Sequence, residues 1–128
     1  PMTRAMVTTV LAQLDGVDTA GGAVWYENGL NWAVAHGISD GKNPGQLATR
    51  EQFVSMLYRY AGNPAATEKE LNFADADQVS GYAREAMRWA VENGILSGFG
   101  DGTLAPDGQT TRAQAAAMLK RYMEIMVP

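Results

Sequence analysis

One short phrase occurs three times in this chain and fixes what it can fold into. It reads TRAMVTTVLAQL from Thr3, TREQFVSMLYRY from Thr49 and TRAQAAAMLKRY from Thr111. Val7, Val10, Leu11 and Leu14 share a register with Phe53, Met56, Leu57 and Tyr60, and with Ala115, Met118, Leu119 and Tyr122. A spacing of i, i+3, i+4, i+7 puts all four on one stripe of a helix, so each phrase predicts an amphipathic helix.

The start of each helix is also written in the phrase. Thr at the N-cap accepts a hydrogen bond from a first-turn N–H. Gln52 and Gln114 stand three residues on and complete a capping box, whereas Met6 leaves the first copy with half of one. Arg4, Arg50 and Arg112 place a cation at the positive end of a helix dipole, which is locally unfavourable. Two readings explain it. An anion sits at the helix start, held by the guanidinium and the free N–H groups, or the Arg pairs with a carboxylate of a neighbouring repeat.

A second helix is duplicated. Trp25, Leu30, Trp32, Ala33, Val34, Gly37 and Ile38 align with Tyr82, Met87, Trp89, Ala90, Val91, Gly94 and Ile95. Both copies end on a Gly followed by an apolar residue, the pattern of a left-handed helix stop. The repeat is therefore helix, Gly stop, loop, Thr-Arg helix, and such units bury their stripes against one another. Five helices are predicted, near 3–15, 25–36, 49–61, 81–93 and 111–125, with Ser80 or Asp77 capping the fourth. No strand is indicated beyond a brief extension at Gly102-Thr103-Leu104. Residues 1–16 read as the second half of a first unit, 17–62 as a second and 63–128 as a third, in a single domain over 1–128. The first unit is incomplete.

Composition narrows the chemistry. A chain of 128 residues with 46% hydrophobic and 19% charged residues buries an ordinary core. There is no Cys, which removes disulfides and Cys-based metal sites. The net charge of −4 opposes broad nucleic-acid binding, and no apolar run is long enough to span a membrane. His36, the only histidine, has no nucleophile or second His beside it in sequence, so no catalytic group can be assembled. Asp40, Asp75, Asp77, Asp101 and Asp107 lack the alternating ligands and closing Glu of a calcium loop, and turn or capping roles suit them better. Nothing implies a cofactor. Trp32 and Trp89, mid-helix at matching positions, suit packing more than sugar stacking.

The ordered series Phe73-Ala-Asp75, Tyr82-Ala, WAVENGILSGFGDGTLAPDGQTTRAQAAAMLKR and its looser copy from Trp25 to Tyr60 resembles the S-layer homology motif. That resemblance implies an all-α, pseudo-threefold domain of helix-loop-helix repeats around a central helical bundle. It further implies grooves between units that bind secondary cell-wall polysaccharide, through a pyruvylated terminal sugar, and so anchor an extracellular protein at a Gram-positive-type cell surface. Carried over residue by residue, the binding set is Arg112, Arg50 and Arg4 of the Thr-Arg pairs, Gly100 and Asp101 of the loop, the aromatics Trp25 and Tyr82, and Asp75. Arg112 leads, because its unit retains every element. The second unit departs, with Val17 and Thr19 in place of Phe and Asp and only Asp40-Gly41 in its loop. No nucleic-acid, membrane or enzymatic role is implied. The alternative is a protein-interaction or surface-assembly module with structural arginines. Incompleteness of the first unit also predicts weak self-association, through a Val7–Leu14 stripe left partly wet.

Overall fold

A computed structural model describes residues 1–65, 71–97 and 102–126. Helices α1 (Arg4–Leu14), α2 (Glu27–Ala35), α3 (Arg50–Tyr60), α4 (Arg84–Glu92) and α5 (Arg112–Met126) account for the regular structure, with 3₁₀ turns at Ala76–Gln78 and Gly81–Ala83. The described residues form no sheet, only isolated bridges between Thr3 and Leu47 and between Thr49 and Gln109. The chain is all-α, as its periodicity predicts.

Each Thr-Arg helix is capped as its sequence requires. Thr49 Oγ1 accepts from Gln52 N–H at 3.3 Å, and Gln52 Oε1 accepts from Thr49 N–H at 2.9 Å. Thr111 and Gln114 repeat the exchange at 3.1 Å each way. The half box expected at Thr3 is corrected: Met6 Sδ accepts from Thr3 N–H at 3.4 Å, the thioether serving as a weak acceptor. Free N–H groups for an anion are absent from the starts of α1 and α3. Carbonyls of the loops before α3 and α5 take them, Gln46 and Pro44 over α1 at 2.9 and 3.0 Å, and Gly108 and Pro106 over α3 at 2.7 and 3.0 Å.

The helix stops follow the sequence closely. Gly37 and Gly94 have φ of 70° and 71°. Ile38 N–H then bonds Ala33 O, and Ile95 N–H bonds Ala90 O, both at 2.8 Å. α2 and α4 begin later than predicted, because neither has a side-chain cap. Trp25 and Tyr82 consequently stand in the turns that lead into them.

The three Thr-Arg segments meet in a closed ring of backbone hydrogen bonds. Met2, Ala48 and Thr110 occupy the matching position before each N-cap. Met2 N–H donates to Thr110 O (2.8 Å), Thr110 N–H to Ala48 O (3.1 Å), and Ala48 N–H to Met2 O (2.8 Å). Around the ring, the stripes of α1, α3 and α5 feed one core containing Val7, Leu11, Phe53, Leu57, Met118 and Tyr122. α2 lies on α1 so closely that a Cβ at Gly29 would meet Thr9 Cα at 2.9 Å. α4 packs on α3. Trp32, Tyr60, Tyr122, Trp89 and Tyr58 form a chain of ring contacts with centroids 5.6–6.2 Å apart.

The stripe expected to stay wet is covered by the chain itself. Val7 and Leu11 are each 1% exposed, with Val10 and Leu14 packed half-buried on the core. Open apolar surface lies on α5 instead. The face that α2 covers on α1 (Ala5, Thr8, Ala12) and α4 covers on α3 (Glu51, Val54, Tyr58) is, on α5, the exposed Ala113, Ala116 and Lys120.

Candidate functional site

A cleft of about 490 Å³ opens between the start of α1, the turn after α2 and one face of α3. Arg4, Ile38, Asp40, Gln52, Arg59 and Tyr82 line it. Arg59 stands in the last turn of α3, where Nη1 donates to Ile38 O at 3.0 Å. The Gly37 stop fixes that carbonyl, so the guanidinium is held at the cleft edge. Arg4 reaches from the first turn of α1 with a loose, exposed contact to Lys42 O at 3.5 Å. Asp40 turns its carboxylate onto Lys42 N–H (2.9 Å) and closes its own turn. Tyr82 forms the rim, 56% exposed. Burial, then the charge of Glu51 and a hydrogen bond to it, push the Tyr82 phenol up to about 12, opposed by Arg59 and Arg4. The phenol is therefore protonated at any physiological pH.

A second cleft of about 200 Å³ has a matching lining. Arg50 replaces Arg4, Gln114 replaces Gln52, Met118 replaces Met56 and Arg121 replaces Arg59. Arg121 Nη1 donates to Ile95 O at 3.2 Å, the counterpart of the Arg59 bond. The difference lies in the first arginine. Arg50 is only 5% exposed and donates to Ala105 O at 2.8 Å, and burial lowers its pKa. Leu96 and Leu104 replace the polar Ser39 side of the first cleft, and no aromatic lines it among the described residues.

Residues 72–116 match the family model described as the S-layer homology domain. The chain carries an S-layer homology domain. Over 109 residues it is 35% identical to an amylopullulanase of Thermoanaerobacterium thermosulfurigenes, and equally to exoglucanase XynX of Acetivibrio thermocellus, 78% of this chain aligning in each case. It is 34% identical over 84 residues to the surface-layer 125 kDa protein of Lysinibacillus sphaericus, with 66% of the chain covered. The chain spans 6%, 10% and 7% of these three relatives, in that order.

The S-layer homology fold distributes the predicted site residues unevenly. Arg4 and Tyr82 come together in the first cleft, and Arg50 lines the second. Arg112 is exposed and borders an apolar hollow of Met2, Met6, Val10, Ala115, Ala116 and Leu119, apart from both. Trp25 is 58% exposed with its ring edge-on to Tyr26, 5.3 Å between centroids. Asp75 is 8% exposed, and its two oxygens accept from Leu104 and Ala105 N–H at 2.8 Å each. Its geometry is that of a loop clamp. Gly100 and Asp101 lie outside the described residues. Arg59 and Arg121 stand outside the predicted set. Their signal was available: two of the three Thr-Arg helices end in Arg-Tyr at one register, where the first has Gln13-Leu14. No described helix is long and apolar enough to cross a membrane.

Proposed function

We propose that this domain is a non-catalytic anchor that binds an acidic cell-wall polysaccharide in the Arg4–Arg59–Tyr82 cleft. One observation carries the reading: two guanidiniums and an exposed aromatic line a single open cleft. Guanidinium pairs suit a carboxylate, since charge-assisted hydrogen bonds are about twice as strong as neutral ones. An aromatic face beside them suits the apolar face of a sugar ring. The ligand is secondary cell-wall polysaccharide, with a pyruvylated terminal sugar as its acid. A surface-layer protein among the relatives supports an extracellular, cell-wall location for the parent chain. Family resemblance put Arg112 first, and the cleft geometry moves Arg4 and Arg59 ahead of it.

The second cleft favours the structural reading, because Arg50 is committed to Ala105. Self-association belongs to the apolar side of α5, where the hollow beside Arg112 continues past Ala116 and Leu119 to Met123. The test of the anchor is sedimentation with purified cell walls, before and after mild acid removes the ketal. The protein should pellet with untreated walls and stay in solution with treated ones. Equal retention on both removes the ketal from the account, and no retention on either removes the anchor.

A further inference from the structure

α5 differs from α1 and α3 in three ways. α2 covers α1 over Ala5, Thr8 and Ala12, and α4 packs on α3 over Glu51, Val54 and Tyr58, whereas the matching Ala113, Ala116 and Lys120 of α5 are exposed. Loop carbonyls take the first N–H groups of α1 and α3, but those of Arg112 and Ala113 have no partner among the described residues. In the first cleft Ile38, next after the Gly37 stop, stands with Arg4, Gln52 and Met56. The matching Arg112, Met6 and Val10 instead border an apolar hollow of about 310 Å³, and no described residue fills the place of Ile38.

One segment of this chain supplies all three features to α1. It covers the helix with α2, sets Ile38 beside Arg4, and lays the Gln46 and Pro44 carbonyls over the Arg4 and Ala5 N–H groups. The open face of α5 suits that segment better than the one around α4. Ala113 and Ala116 are small, as Ala5 and Thr8 are, while α3 presents Glu51 and Val54. Small residues admit a close helix such as α2, whose Gly29 lies against Thr9. We propose that the open side of α5 is a docking surface for one more segment of the α2 kind: helix, Gly-Ile stop, loop. Its isoleucine fills the hollow beside Arg112, and its loop carbonyls meet the Arg112 and Ala113 N–H groups. Burial of apolar surface drives the contact, and two N–H groups at a helix start gain acceptors. The contact continues around the ring an interface the chain already makes on α1 and α3. It depends on neither polymer binding nor self-association, the latter being a substitute open to a bare α5.

The probe is the chain's own sequence. A second copy of residues 17–47 is joined ahead of Met2, so that the copy leads into Thr3 as the original leads into Thr49. Two readouts are taken: melting temperature, and amide hydrogen exchange at Arg112 and Ala113. The extended chain should melt about 5 °C or more above the original, with exchange at both amides slowed about tenfold or more. Ala116→Arg should leave the melting temperature of the original chain unchanged and lower that of the extended chain. Should the extended chain fail to fold, the original chain is titrated with a peptide of residues 17–47. The same two amides should then slow, and Ala116→Arg should abolish the slowing. Unslowed exchange at both amides overturns the proposal. Ala116→Arg acting equally on the original and the extended chain also overturns it, since the added segment would then lie elsewhere.

Discussion

Arg50 and Asp75 hold one residue, Ala105, from its two ends. Arg50 Nη1 donates to the Ala105 carbonyl, while Asp75 Oδ2 accepts from the Ala105 N–H, each at 2.8 Å. Ala105 needs holding, for its φ of 48° lies in the left-handed region that a Cβ disfavours. The first loop makes the same turn with Asn43 at φ 51°, a residue that tolerates it better. The loop before α5 is thereby fixed against α3, and its Pro106 and Gly108 carbonyls are delivered to the α3 N-terminus.

Asp75→Ala should therefore reduce stability. It leaves the Leu104 and Ala105 N–H groups without their acceptor, at about 1–3 kcal/mol for an unsatisfied buried group. Arg50→Ala should also lower the unfolding free energy, unlike a purely ligand-binding arginine. Chemical denaturation with an unchanged m-value checks both. Wild-type stability in either variant would show that the clamp contributes nothing.

Gly29 is the tightest point between α1 and α2. Gly29→Ala places a methyl 2.9 Å from Thr9 Cα, and backbone on one side cannot move aside as a flexible side chain would. Overpacking of this kind costs about 1–3 kcal/mol, against a gain of about 1 kcal/mol from Ala as a helix former. The net expectation is a lower melting temperature, larger for Gly29→Val. A rise in melting temperature for Gly29→Ala would place the helices further apart than described.

Much of this fold is legible in the sequence because its signals are local. Thr49 with Gln52, and Gly94 with Ile95, each settle their geometry within four residues, so helix starts and stops can be read directly. The cleft is different. Arg59 enters it only because Ile38, across the loop, presents a carbonyl to it, and Arg50 leaves the corresponding place because Ala105 and Asp75 claim it. Three arginines identical in motif thus acquire three environments: half-buried at Arg4, buried at Arg50 and exposed at Arg112. That distinction is tertiary, set by loops of unequal length, and no periodicity carries it. Met6 completes its box through a thioether sulfur, a weak acceptor that the Thr-x-x-Gln pattern does not encode.

Alkaline pH should unfold the protein progressively. Tyr60 is pushed up to about 12 by burial, then by the charge of Asp15 and a hydrogen bond to it, and Tyr82 also reaches about 12. In the unfolded chain tyrosine ionises near pH 10, about two units earlier. Between these values the folded state keeps protons that the unfolded state has lost, so stability is full below about pH 10 and falls as pH rises toward 12. Melting temperatures from pH 8 to 11.5 check this. A curve flat through pH 11 would contradict it.

Association through the hollow beside Arg112 is expected to be weak. Met123, 47% exposed, lies on that side of α5. Sedimentation equilibrium should show a concentration-dependent mass that Met123→Lys abolishes. A single monomeric mass at all concentrations would show that the hollow does not self-associate.

The cleft itself is tested most directly by titrating isolated wall polysaccharide into wild type, Arg4→Ala, Arg59→Ala and Arg112→Ala. Losing one charge-assisted contact costs about 1.5–3 kcal/mol, or roughly 10- to 100-fold in affinity. Arg4→Ala and Arg59→Ala should each show that loss while remaining folded, and Arg112→Ala should bind within about threefold of wild type. Wild-type affinity in both cleft variants, or a loss confined to Arg112→Ala, would contradict the assignment of this cleft.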